Sequence, residues 1–225
     1  MGSADWDIAV GGSTSFGHYE ALNSADPALL PLNEGLKCRR LDNSHASEYG
    51  RALFTYNREP ENFTLFKDVS VRGWFGISSH SHNSHAGMCL RTDTTVPTGL
   101  SNSPGLFSNG YYGKIYSTGS GLGFSVDRYL VGAGTNLFTL LFPGPTIYSW
   151  FRMRLDFLWQ SDGSAILKGY SQVVGDTEWT PQLEIVEAPG VIPAYSGVGW
   201  GGQVEGGGAD FVNEVYVDLV EVYHS

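Results

Sequence analysis

From Trp150 onward, hydrophobic and polar residues alternate one for one. Phe151, Met153, Leu155, Phe157 and Trp159 fall on one side, and Arg152, Arg154 and Asp156 on the other. A period of two marks a β-strand with one buried and one wet face. Shorter versions of the pattern recur along the chain. They predict strands over 35–41, 51–56, 65–77, 87–92, 111–117, 122–128, 136–142, 148–159, 165–173, 183–186, 197–201 and 212–223. Turns rich in Asn, Gly, Ser and Pro separate them, and Asp162-Gly163 between two alternating runs predicts a hairpin. No segment keeps a 3.6-residue period over the length of a helix. Many short strands in one chain predict an all-β, two-sheet antiparallel jelly-roll sandwich over residues 35–225. Residues 1–34 lack the steady alternation and read as an extended N-terminal arm. Asp26-Pro27 is an N-cap and N1 pair that admits a helical turn over 21–30.

Composition agrees with this picture. Thirty glycines and ten prolines fall between apolar runs, and 13% of the 225 residues are aromatic, which is turn-rich β composition and not disorder. The net charge of −10 repels phosphate backbones, so nucleic acid is not an expected partner. No apolar run approaches the ~20 residues of a membrane-spanning helix, so no membrane partner is expected. The N-terminus has neither the basic nor the apolar region of a secretory signal. The two cysteines, Cys38 and Cys89, sit in predicted strands and read as small buried hydrophobes. A bridge between them would need Cα atoms within about 7 Å.

Several strands resemble one family. Leu65-Phe66-Lys67-Asp68-Val69-Ser70-Val71-Arg72-Gly73-Trp74-Phe75 resembles the long opening strand of the concanavalin A-like lectin/glucanase jelly roll, in its laminin-G-like and glycan-hydrolase-associated forms. Ala86-Gly87-Met88-Cys89-Leu90-Arg91, Trp150-Phe151-Arg152-Met153-Arg154-Leu155, Gly197-Val198-Gly199-Trp200 and the closing Tyr216-Val217-Asp218-Leu219-Val220-Glu221-Val222 are similar to further strands of it. The resemblance covers about residues 35–225 and implies a sandwich whose concave sheet binds sugars.

Alternation places Arg72, Trp74, Arg91, Arg152, Arg154 and Asp156 on non-core faces of three strands. If those strands adjoin, four arginines and a tryptophan gather in an acidic molecule. Indole stacking and forked guanidinium donors suit a polar or acidic glycan. The competing expectation is an ordinary wet face, its arginines paired with Asp68 and Asp156. His80, His82 and His85 lie in a Ser/Asn-rich segment with zinc-type His-x-His spacing, but no fourth ligand is evident. Asp5, Asp7, Asp93, Asn102 and Asp210 could serve calcium, without a spacing that assigns a site, so no cofactor is expected. Retaining glycosidases need two carboxylates about 5–5.5 Å apart. Glu184 and Glu187 fall on opposite faces of a strand, and Glu214 and Asp218 stand roughly 13 Å apart along one. No nucleophile elbow and no phosphate loop occurs.

The leading expectation is therefore a non-enzymatic interaction protein of lectin-like shape. The sequence suits a virion (bacteriophage) surface component, such as a capsid decoration or tail-associated protein, touching neighbouring subunits through an edge strand or the arm and forming a homo-oligomer. A free carbohydrate-binding lectin, cytoplasmic or extracellular, is the alternative. A glycoside hydrolase comes third.

Overall fold

The computed structural model describes residues 6–12, 18–22, 38–43, 49–56, 67–78, 84–93, 108–117, 121–142, 150–173, 175–205 and 213–224. Among them lie fourteen strands and no helix. They are β1 (Trp6–Gly12), β2 (His18–Leu22), β3 (Cys38–Asn43), β4 (Tyr49–Tyr56), β5 (Val69–Ser78), β6 (His85–Thr92), β7 (Gly110–Ser117), β8 (Leu122–Leu130), β9 (Ala133–Phe142), β10 (Trp150–Trp159), β11 (Ala165–Val173), β12 (Thr180–Glu187), β13 (Gly197–Glu205) and β14 (Asn213–His224). Each strand that the alternation predicts is present, with shifted ends. β1 and β2 fall inside the stretch expected as an arm. The alternation of Trp6, Ile8 and Val10 is the signal for β1.

Two seven-stranded sheets result. The first runs β1-β4-β13-β6-β7-β8-β9, and the second runs β12-β11-β10-β5-β14-β3-β2. All strand pairings among the described residues are antiparallel, and the chain crosses repeatedly between sheets, as a jelly roll requires. Arg152 stands opposite Trp74 and Arg154 opposite Arg72 across β10 and β5. The Asp162-Gly163 hairpin forms as the sequence predicts. Gly163 takes φ +85°, and Asp162 Oδ1 accepts the Ser164 amide at 2.9 Å.

The core lies between the sheets. β10 contributes Phe151, Met153, Leu155 and Phe157, none more than 3% exposed. Each such side chain is worth about 1.5–3 kcal/mol on burial. Facing them from the first sheet are Met88, Leu90, Ile115, Phe124 and Val126. Trp200 stacks on Phe54 at 3.8 Å. Leu53, Cys89, Tyr112 and Tyr129 form a separate buried cluster, and by register they share the other face of the first sheet.

Candidate functional site

The second sheet's outer face carries most of the residues expected to bind a ligand. Arg72, Trp74, Arg152, Arg154 and Asp156 come together on β5 and β10, and β14 adds Glu221 and Tyr223. Each guanidinium is already engaged. Arg72 grips Glu221 with two bonds, 2.7 and 3.2 Å, and lies 4.6 Å from the Tyr223 ring centre. Arg154 grips Asp156 at 2.8 and 2.6 Å and covers the Tyr170 ring at 5.1 Å. Arg152 donates to Glu221 at 3.3 Å, with its guanidinium 5.8 Å from Trp74 and 5.2 Å from Trp179. Among the described residues its Nε has no partner.

These pairings set the electrostatics of the face. Hydrogen bonding to their carboxylates holds Arg72 and Arg154 above their ordinary values. Burial alone would raise the Glu221 carboxyl, but hydrogen bonds from Arg72 and Tyr223 outweigh it and hold the carboxyl low. Asp156, expected on a wet face, is 4% exposed, because Arg154 covers it and Ser70 donates to it at 2.6 Å. Asp68 does not pair with an arginine here; it accepts the Trp159 amide at 2.8 Å. The cationic charge is thus neutralised locally, much as the competing expectation of a paired wet face has it. Sequence reasoning missed Trp179, Glu221, Tyr223 and Tyr170. The alternation along β14 would place Glu221 and Tyr223 on one face, but the partners they meet depend on the strand order.

Arg91 does not join this face, so the expected four-arginine cluster does not form. Arg91 belongs to the first sheet, and the register shifts by one residue beside it, between Thr92 and Leu90 opposite Gly197 and Val198. Its φ of +57° turns the side chain inward. The guanidinium lies 5.0 Å from the Phe157 ring centre, inside the sandwich, and Nε donates to the Pro193 carbonyl at 3.2 Å. Burial lowers its pKa to about 10. Nearby, Glu187 accepts from Tyr111 at 3.0 Å and from Arg128 at 2.5 Å. That polar group closes one end of the core.

The first sheet's outer face carries a second arrangement, which sequence reasoning did not single out. Register sets Lys114 opposite Ser125, and Tyr116 between His85 and Gly123. A Cβ on Gly123 would stand 2.4 Å from Cζ of Tyr116, so the tyrosine ring lies across the glycine. The ring is only half-buried, and burial followed by the nearby Asp127 charge raises its hydroxyl's pKa. Around it stand fixed polar groups. Lys114 Nζ is 2.7 Å from Asp127 Oδ2, Asn136 donates to Asp127 Oδ1 at 2.7 Å, and Thr139 donates to Asn136 at 3.0 Å. The Ser125 hydroxyl is buried with no partner among the described residues. Tyr112 donates to the Gly201 carbonyl at 3.2 Å and sits 2.9 Å from His85 Nδ1. The sequence signal was the tyrosine and lysine spacing of Tyr112, Lys114 and Tyr116. Only strand pairing shows that Gly123 makes room for the ring.

The remaining candidates fall as follows. His85 is 5% exposed and faces Tyr112, while His80 and His82 lie outside the described residues. Among the described residues no group of three His, Cys, Asp or Glu side chains gathers as a metal site would require. Asp93 accepts the Ser108 amide and the Asn109 side chain at 3.2 and 3.0 Å, and Asp7 is in β1. Asp5, Asn102 and Asp210 lie outside the described residues. Cys89 is a free, fully buried thiol, so no bridge joins it to Cys38. Glu184 faces solvent and pairs with Lys168 at 3.0 Å, while Glu187 points inward, so the two acids face apart as the sequence predicts. Asp218 is buried beside Trp74, and a bulge separates it from Glu221.

No protein-family model matches the sequence, and neither does any curated protein. Solved structures do match in fold. The carbohydrate-binding module CBM66 from Bacillus subtilis superimposes with a TM-score of 0.52 at 11% identity, covering 96% of each chain. The exoplasmic/lumenal domain of VIP36, solved in a Ca2+/Man3GlcNAc-bound form, gives 0.56 at 13% identity, covering 98% of this chain and 85% of that one. An engineered GH43 glycoside hydrolase with endo-xylanase and exo-arabinofuranosidase activity gives 0.58 at 10% identity. It covers all of this chain but only 39% of the hydrolase. The chain therefore shares the two-sheet jelly-roll β-sandwich fold of these structures, the fold that its strand pattern predicts.

Proposed function

We propose that this protein is a non-catalytic carbohydrate-binding module whose glycan lies on the outer face of the first sheet, over Tyr116. The observation that carries this reading is the Tyr116 ring laid across Gly123. A half-exposed aromatic ring seated over a glycine offers a surface on which a pyranose ring can stack. Lys114, Asp127 and Asn136 then offer donors and acceptors already fixed in place by their mutual bonds. Preformed polar groups around one aromatic platform suit a neutral sugar rich in hydroxyls. The arginine face of the second sheet supports the role less well, because each guanidinium there is paired with a carboxylate and stacked on a ring. The fold neighbours include a carbohydrate-binding module and a domain solved with Man3GlcNAc bound, which supports a glycan partner. A place on a virion surface, the expectation from the sequence, is compatible with such a module and is tested by asking whether the chain copurifies with particles.

The experiment is calorimetric titration of glycans selected on an array, with wild type, Tyr116→Ala and Trp179→Ala. Loss of affinity in Tyr116→Ala alone supports the site. Loss in Trp179→Ala alone moves binding to the second sheet. Turnover of a polysaccharide by wild type would replace the reading with a hydrolase.

A further inference from the structure

β9 ends the first sheet, with β8 as its one neighbour among the described residues. A terminal strand presents unpaired N–H and C=O groups, and proteins ordinarily blunt it with charge, proline or a bulge. The three other terminal strands contain charged residues in their sequences: β12 has Glu184 together with Pro181, β1 has Asp7, and β2 has Glu20. β9, AGTNLFTLLF, has no charged residue and no proline over its ten residues. It has one bulge, at Leu137, where Val126 pairs with Phe138 but Asp127 with Asn136. Beyond the bulge Phe138–Phe142 pairs regularly with β8, and among the described residues no strand pairs with its other edge.

That segment reads Phe-Thr-Leu-Leu-Phe, nearly the same in both directions. Laid antiparallel on a copy of itself and centred on Leu140, it sets Phe138 against Phe142, Thr139 against Leu141, and Leu140 against its twin. The alternation survives the pairing. Phe138, Leu140 and Phe142 stand opposite the core residues Val126, Phe124 and Leu122 of β8, so all three fall on the core side of the sheet. Thr139 and Leu141 fall on the outer side, where Leu141 is 61% exposed. Charge also selects the place. Copies of a chain carrying −10 repel one another, and an uncharged edge is where they approach at least cost.

We propose that two copies of this chain pair antiparallel through Phe138–Phe142, joining their first sheets into one across a two-fold axis. An antiparallel pair of identical strands is isologous and closes on itself, so it stops at a dimer. Leu141 then gains cover from the partner's Thr139.

The test uses the full chain in sedimentation velocity over a concentration series, with thermal unfolding to confirm that each variant folds. Thr139→Lys with Leu141→Lys places lysine opposite lysine twice, and the dimer weakens by tenfold or more. Thr139→Glu with Leu141→Lys places glutamate opposite lysine twice, and the dimer returns. Amide exchange across Phe138–Phe142 slows as wild type is concentrated. A wild type that is monomeric at every concentration overturns the pairing. So does a dimer that survives the paired lysines, or one that the Glu–Lys variant does not restore.

Discussion

Asp218 sits in β14 opposite Trp74, with 3% of its surface exposed. Burial raises its pKa to about 6, and a hydrogen bond from the Leu219 amide recovers only part of the cost. Its Oδ2 has no partner among the described residues. In the unfolded chain this carboxyl titrates near 3.9. Below that pH both states hold the proton and the folded state carries no penalty. As pH rises from about 4 to about 6 the unfolded chain ionises first, so stability is lost, and the loss is complete above the folded value. A gap of about two units has a ceiling of about 3 kcal/mol. Screening at the outer face of a sheet reduces it, and we expect about 1–2 kcal/mol. Asp218→Asn keeps the shape and removes the charge, so it stabilises the protein at neutral pH and loses its advantage in acid. For a chain of this size the gain is a Tm rise of about 3–6 °C near pH 8, shrinking toward zero near pH 4. Thermal unfolding followed by circular dichroism at both pH values measures it. A shift of equal size at the two pH values, or a lower Tm near pH 8, would refute burial of this charge as the cause.

Two other groups give sharp outcomes. Glu187→Ala leaves Arg128 and Tyr111 without their shared acceptor inside the sandwich, so urea unfolding should show a loss of about 3–5 kcal/mol. Burial pushes the Cys89 thiol well above its ordinary value, so alkylation mapped by mass spectrometry leaves Cys89 unmodified in the native protein and labels it after denaturation.

Alternation along the chain was enough to place the strands of residues 35–225 and their buried faces. A side chain's side of a strand depends only on the parity of its position, which any reader of Phe151, Met153, Leu155 and Phe157 can count. The hairpin at Asp162-Gly163 was legible for a similar reason, since a turn of that kind needs a residue that accepts positive φ. Arg91 shows where parity fails. A one-residue register shift and a φ of +57° reverse its side, and both arise from its pairing with β13, more than a hundred residues away.

The candidate sites were less legible still. The residues of the arginine ladder were visible, but their partners Glu221, Tyr170 and Trp179 come from strands whose adjacency no local pattern specifies. The platform at Tyr116 exists because Gly123 on the neighbouring strand leaves room for a ring. The sequence by itself thus determined the strands that follow residue 35 and the apolar face of most of them, because those properties are local and periodic. The tertiary structure alone decided which strands adjoin, which charges cancel, and which uncharged strand ends a sheet, because strand order is set by packing between residues far apart in the chain.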